Sequence, residues 1–222
     1  MQQVVKEGGQ VSVAIIGGGI VGCATALALA LEGRQVTMFD PDAPGAGTSS
    51  GNAGGIVTSS VTPTATPDVL RALPSWLFDR SSPAVLRLRH SLKVLPWFFH
   101  FARAGLPAEV DRIAAALHPI VSRALTAHRS LAADAGVGAL ITQEGWLKVF
   151  ASEQGFAATA LDRRLMDRFG VNYAVLDRKA VTDLEPNLNP DLCAIGLHQP
   201  DCGFVRYPMG LAQAYFDAAA RQ

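Results

Sequence analysis

The sequence predicts an α/β fold that opens on a βαβ unit, and three neighbouring segments predict it. Ser12 to Ile16 is a short β-branched run ending in glycines, which reads as a fully buried strand. Ile20 to Glu32 is rich in alanine and leucine and is closed by Gly33, the residue type that ends helices in a left-handed conformation. Gln35 to Phe39 is a second buried strand, so strand, helix and strand fall within about 30 residues, the length of a βαβ unit.

The elements follow in order. Residues 1–10 are polar and glycine-bearing and read as a disordered leader. Residues 11–67 hold the βαβ unit and then, from Pro41 to Pro67, a stretch of Gly, Ser, Thr and Pro with almost no charge. A segment that long without a regular element inside a compact domain is usually functional. Residues 68–200 change character. Ser82-Pro83 starts a helix that runs towards Gly105 with a kink at Pro96, since proline at the first helical position loses no hydrogen bond and inside the helix removes one. A further helical stretch runs from Pro107 to Ala135, interrupted at Pro119 and stopped at Gly136. Trp146 to Ala151 alternates as a strand, Ser152 caps a helix that ends at Gly170, and Val171 to Leu176 is another strand. Asp177 to Leu184 is a short helical piece and Ala194 to His198 a strand. Residues 201–222 return in a final helix from Pro208.

Composition narrows the function. At 222 residues the chain is one domain and part of another, taking about 150 residues per domain. With 49% hydrophobic and 17% charged residues it has ample material for a core, which excludes a disordered or collagen-like chain. Nineteen basic residues balance nineteen acidic ones, so no net field exists to hold nucleic acid. Cys23, Cys193 and Cys202 are odd in number and lack CxxC spacing, which excludes a zinc site or a disulfide framework and fits a reducing cytoplasm. Val11 to Leu31 is 21 residues without a charge, long enough to span a bilayer. Gly17-Gly18-Gly19 in its middle would cost about 1 kcal/mol each in a helix interior, so a turn is the better reading.

The chemistry sits in that turn. Gly17-x-Gly19-x-x-Gly22 follows a strand and opens a helix, with Ala26, Gly33 and Asp40 continuing the register. Gly17 permits the tight turn, Gly19 lets backbone approach a pyrophosphate, and Gly22 with Ala26 lets helix and strand pack closely. The anion then lies at the helix N-terminus, where free N–H groups and the macrodipole favour it. Asp40, ending the second strand, suits a ribose diol and disfavours an additional phosphate there. The pattern specifies a dinucleotide and serves NAD and FAD alike. A second stretch, Gly47 to Ile56, has glycines that let backbone lie against a flat ligand and polar groups that bind phosphate or ring heteroatoms, although composition taken alone favours a flexible linker.

Together, the first motif and Thr48-Ser49-x-x-Asn52-Ala53-Gly54-x-Ile56 resemble the FAD-dependent D-amino-acid dehydrogenase and oxidase family. Further matches are Trp76-Leu77 with Ser82-Pro83, Pro96-Trp97, Gly145-Trp146-Leu147, Glu185-Pro186-x-Leu188 and Asp201 to Pro208. The resemblance implies a Rossmann-type FAD-binding half-domain with an interleaved α+β substrate portion. It implies FAD as cofactor and a small D-amino acid as substrate, oxidised by hydride transfer to flavin N5 to give, after hydrolysis, a 2-oxo acid and ammonia. Gly17, Gly19 and Gly22 would hold the pyrophosphate and Asp40 the adenosine ribose. Thr48, Ser49, Asn52, Gly54 and Gly55 would lie along the phosphate and isoalloxazine side. No catalytic residue is assigned. Two alternatives stay open: oxidation of glycine, sarcosine or another secondary amine, and a non-catalytic nucleotide-binding fragment.

Family members continue where this sequence stops, so the resemblance implies truncation at the C-terminus, with a second chain carrying the remaining half as one partner. The final helix places Leu211, Ala212, Tyr215, Phe216 and Ala219 on one face, which is expected to stay uncovered beside an unpaired sheet edge. Marginal solubility, weak FAD binding and no amine oxidation by the isolated chain are the expected consequences.

Other residues read as structural. His90, His100, His118, His128 and His198 have no ligand spacing and read as surface or satisfied buried histidines. Trp97-Phe98-Phe99-x-Phe101, preceded by Arg87, Arg89 and Lys93, reads as helix core packing, with peripheral contact on the cytoplasmic membrane face for electron transfer as the alternative. Glu185-Pro186 reads as a turn, and Arg206-Tyr207 receives no role.

Overall fold

The computed structural model describes residues 12–78 and 91–222. The leader and the helix start at Ser82-Pro83, with Arg87, Arg89 and His90, lie outside the described residues.

β1 (Ser12–Ile16), α1 (Ile20–Leu31) and β2 (Gln35–Phe39) form the expected βαβ unit, with β1 and β2 parallel from Ser12 opposite Gln35 to Ile16 opposite Phe39. Gly33, at φ 76°, ends α1: its N–H donates to the Ala30 carbonyl and that of Arg34 to Leu29, both at 2.9 Å. These two bonds satisfy carbonyls that the helix end leaves free.

The chain continues through β3 (Gly55–Ile56), α2 (Pro67–Phe78), α3 (Ser91–Ala104), α4 (Pro107–Val121), α5 (Ala124–Asp134), β4 (Ile141–Thr142) and β5 (Trp146–Phe150). It then forms α6 (Glu153–Ala157), α7 (Ala160–Arg168), β6 (Ala174–Asp177), α8 (Arg178–Leu184), β7 (Ile195–Gln199), β8 (Gly203–Val205) and α9 (Pro208–Ala220). Two antiparallel sheets result, in the orders β3-β8-β4 and β5-β7-β6.

Several expected boundaries move for local reasons. The stretch from Pro107 breaks at Ser122 and Arg123, not at Pro119, because the helix absorbs the proline in its last turn. Ser152 does cap a helix, accepting from the Gly155 N–H at 3.1 Å, but the helix divides at Ala158 and Thr159. There the Thr159 hydroxyl donates to the Phe156 carbonyl at 2.7 Å, competing with the helical ladder. The strand expected from Val171 starts at Ala174, since the Val171 N–H is used to close α7 on the Met166 carbonyl at 2.9 Å.

The larger core lies between α1, α5 and α9. Cys23, Ala26 and Leu27 of α1 are buried, as are Leu211, Ala212, Tyr215 and Ala218 of α9 and Leu125 and Ala132 of α5. The apolar face of the last helix is therefore covered, against expectation: α1 and α5 bury it, with Phe216 and Ala219 partly buried beside them. The strand edge is another matter. Among the described residues β1 pairs with β2 alone, and Ile16 is 91% exposed. A smaller core joins Val61 of the loop after β3 to Val110, Ala114 and Leu165.

Among the described residues the aromatic run in α3 joins neither core. Leu95, Trp97 and Phe99 are exposed, Phe98 and Phe101 are half-buried, and Trp97 stacks on Phe101 at 5.0 Å, so the core-packing reading does not hold for Trp97 and Phe99. No described helix is long and apolar enough to cross a membrane.

Candidate cofactor site

The end of β1, the start of α1, the end of β2 and the loop from Thr48 to Ile56 meet at one place. Gly17 turns the chain at φ 108°, a conformation that side chains disfavour, and its N–H donates to the Phe39 carbonyl at 2.8 Å. A Cβ on Gly22 would lie 1.9 Å from the Gly17 carbonyl oxygen, so α1 rests directly on the turn. Both glycines are demanded by the fold.

Gly19 is different. Its φ of −74° and ψ of −178° are open to any residue, and a Cβ there would meet only the Ser49 hydroxyl oxygen at 3.4 Å. Neither backbone nor packing requires glycine at this position. The bare surface it leaves lies at the N-terminus of α1, where the first helical bond runs from Cys23 N–H to the Gly19 carbonyl at 2.9 Å. The Ile20 N–H donates to Ser49 Oγ at 2.9 Å, while those of Val21 and Gly22 have no acceptor among the described residues. Two free N–H groups, the helix dipole and an unfilled space above them suit a pyrophosphate, and a Cβ at position 19 would project into that space.

Asp40 braces the turn from the other side. Its Oδ2 accepts from the Gly18 N–H at 2.6 Å and its Oδ1 from the Asp42 N–H at 2.8 Å. These backbone donors hold the carboxyl below the ordinary aspartate range. Each oxygen keeps lone-pair capacity for a ribose hydroxyl. Because the folded pKa is depressed, the brace is fully present above the unfolded value of about 3.9 and is lost as pH falls through the folded value. Thermal melts are therefore expected to lose less midpoint on acidification below about pH 4 in Asp40→Asn than in the parent chain.

The loop is held by its own side chains. Asn52 Oδ1 accepts from the Gly54 N–H at 2.8 Å, and Asn52 Nδ2 donates to the Thr48 carbonyl at 3.3 Å. Gly54, at φ 69°, lies so close to β8 that a Cβ would sit 2.3 Å from the Val205 carbonyl oxygen, and a Cβ on Gly55 would meet the Trp146 ring at 2.7 Å. Gly54 and Gly55 are thus explained by packing, and Asn52 by the loop's internal bonds. Farther along, the Ser59 hydroxyl donates to Gln199 Oε1 at 2.7 Å and Gln199 Nε2 to Met166 Sδ at 3.1 Å, both polar side chains being buried. That pair anchors the rear of the loop on β7.

Beneath the loop is a cavity of ≈ 150 Å³, bordered by Ser49, Asn52, Gly54, Gly55, Ile20 and His128. Ligand pockets commonly hold about 300–1,000 Å³, so this one has room for part of a dinucleotide-sized ligand, not the whole. Gly17, Gly19, Gly22, Asp40 and Thr48 do not line it; Thr48 and Asp40 are exposed. His128 is the residue that sequence reading set aside. It stands far along the chain from the loop, and the packing of α5 on α1 and α9 brings it there. Cys23 lies under the turn and its thiol donates to the Gly18 carbonyl at 3.2 Å. Burial, and then the Asp40 charge, push the thiol up to about 11. It is expected to resist alkylation by iodoacetamide at neutral pH in the folded chain, as followed by intact mass, and to react once denatured.

A strand, a glycine turn and a helix N-terminus beside a second glycine-bearing loop define an α/β protein that opens on a βαβ unit of Rossmann type. The chain belongs to the FAD dependent oxidoreductase (DAO) family, whose model matches residues 12–222. It is similar to a D-amino-acid oxidase of Bradyrhizobium diazoefficiens, 36% identical over 199 residues that make up 88% of this chain and 47% of that protein. Among solved structures, glycine oxidase from Geobacillus kaustophilus superposes with a TM-score of 0.57 at 23% identity, covering 93% of this chain and 43% of that one. L-alpha-glycerophosphate oxidase from Mycoplasma pneumoniae, solved with FAD bound, gives 0.54 at 19% identity, covering 95% and 42%. At these identities the structures establish the fold alone. The chain spans about half the length of the relatives it matches.

Proposed function

We propose that this chain is the FAD-binding portion of an amine-oxidising flavoenzyme acting on a small D-amino acid, yielding a 2-oxo acid and ammonia. The observation that carries it is Gly19, bare without structural need above two helix N–H groups that have no acceptor among the described residues. The Val21 and Gly22 N–H groups bind the pyrophosphate, and Asp40 accepts from the adenosine ribose. Ser49 fixes the loop against α1, so that Thr48, Asn52, Gly54 and Gly55 border the remainder of the cofactor. When bound, FAD supplies hydride acceptance at its N5. Residues 11–67 and 201–222 form the cofactor side of the protein and residues 68–200 mainly the substrate side. The D-amino-acid oxidase relative supports the substrate class. A second polypeptide carrying the rest of the family's length is a proposed partner, and β1, which pairs with β2 alone among the described residues, is the natural place for it.

The test is co-expression of the chain with the remaining half of a family member, followed by flavin quantitation and a dye-linked assay. Reduction of the dye with D-alanine, and not with L-alanine, is expected. Faster turnover of glycine or sarcosine would move the reading to a secondary-amine oxidase, and a flavin-loaded complex without turnover to a non-catalytic fragment.

Cytoplasmic location with peripheral membrane contact is the accompanying proposal. Leu95, Trp97 and Phe99 are exposed on α3, which also carries Lys93 and Arg103. Co-sedimentation with anionic vesicles is expected, and it should fall in Trp97→Ser with Phe99→Ser. Equal sedimentation of parent and variant would remove α3 from the contact.

A further inference from the structure

We propose that His128 is a cofactor-contact residue whose Nε2 accepts a hydrogen bond from a neutral donor of the flavin, a ribityl hydroxyl or the imide N–H. This rests on the FAD reading above. Tyr215 is fully buried, and its hydroxyl donates to the His128 carbonyl at 3.0 Å. A phenol has one proton, so while it donates to the carbonyl the same oxygen can bond His128 Nδ1, at 3.2 Å, only by accepting. The tautomer with the ring proton on Nδ1 is the one that makes both bonds at once, and in that neutral imidazole Nε2 is left as a bare acceptor. Burial, which lowers the pKa of His128, keeps the ring neutral.

The ring is also fixed in place. It stacks on Tyr215 with centroids 6.0 Å apart and planes 9° apart, and α5 is anchored in the core by Leu125 and Ala132 on either side of it. Nε2 has no partner among the described residues, while the imidazole borders the cavity beneath Ser49, Asn52 and Gly54. A lone pair there repels a phosphate and attracts an O–H or N–H. The site thus has two ends of opposite preference: donors at the N-terminus of α1 for the pyrophosphate, and an acceptor at His128 for the flavin moiety.

Titration of ¹⁵N-histidine-labelled chain with FAD and, separately, with ADP reads this directly. ADP carries the adenosine and pyrophosphate but no flavin. The expected result is an Nδ1-protonated ring whose Nε2 resonance shifts on adding FAD and stays still with ADP. His128→Phe should weaken FAD about fivefold, the scale of one neutral hydrogen bond, and leave ADP affinity unchanged. His128→Gln, whose carboxamide oxygen can accept, should recover part of the loss. An unshifted Nε2 with FAD bound, or equal loss of FAD and ADP in His128→Phe, would overturn the contact. If the folded parent chain bound ADP but not FAD, the flavin reading would fall and this inference with it.

Discussion

Gly19→Val is expected to abolish FAD binding while leaving the chain folded. The backbone at position 19 is extended, which suits a β-branched residue, and the new Cβ would meet only Ser49 Oγ at 3.4 Å. Stability should change by no more than about 1 kcal/mol, the ordinary size of a single substitution. The valine methyls, however, would stand over the Val21 and Gly22 N–H groups, where a pyrophosphate must approach within hydrogen-bond distance. Flavin fluorescence titration beside a thermal melt separates the two effects. Retained FAD affinity in a folded variant would show that the phosphates lie elsewhere.

Gly22→Ala should do the reverse and damage the fold first. Its Cβ would be 1.9 Å from the Gly17 carbonyl oxygen, a contact between two backbone segments that no rotamer change relieves. α1 cannot retreat easily, because Cys23 and Leu27 are fully buried in the core shared with α9. A loss on the order of 3–5 kcal/mol is expected, at the upper end for one substitution. Denaturant unfolding followed by far-UV circular dichroism checks it. A midpoint equal to the parent's would mean that turn and helix are not in contact as described.

These two glycines also show what could be read in advance. The turn, α1 and the stops at Gly33 and Gly170 were legible because their signals are local: a left-handed glycine or a capping side chain acts within a few residues. Ser152 and Asp177 were legible as helix starts for the same reason, each side-chain oxygen accepting from an N–H three residues on. β3, β4 and β8 were not, since two or three residues are too few to show alternation. The bare reading of the loop as polar and glycine-rich also missed why its residues are there. Gly54 answers to Val205 and Ser59 to Gln199, partners more than a hundred residues away. The cover on α9 was misjudged in the same manner, because a helix face shows its need for a partner but not which element meets it. His128 lacked any spacing signal at all. Its place at the cavity comes from α5 docking on α9, and its tautomer from a tyrosine 87 residues on.

The most direct measurement is a titration of ¹⁵N-labelled chain with FAD, followed at the backbone amides, which registers weak binding as readily as tight binding. Saturable shifts are predicted at Val21 and Gly22, at Gly18 beside Asp40, and along Ser49 to Gly55, all absent in Gly19→Val. A folded parent chain whose amides at these positions stay unmoved at millimolar FAD, or move only elsewhere, would contradict the placement of the cofactor on this turn.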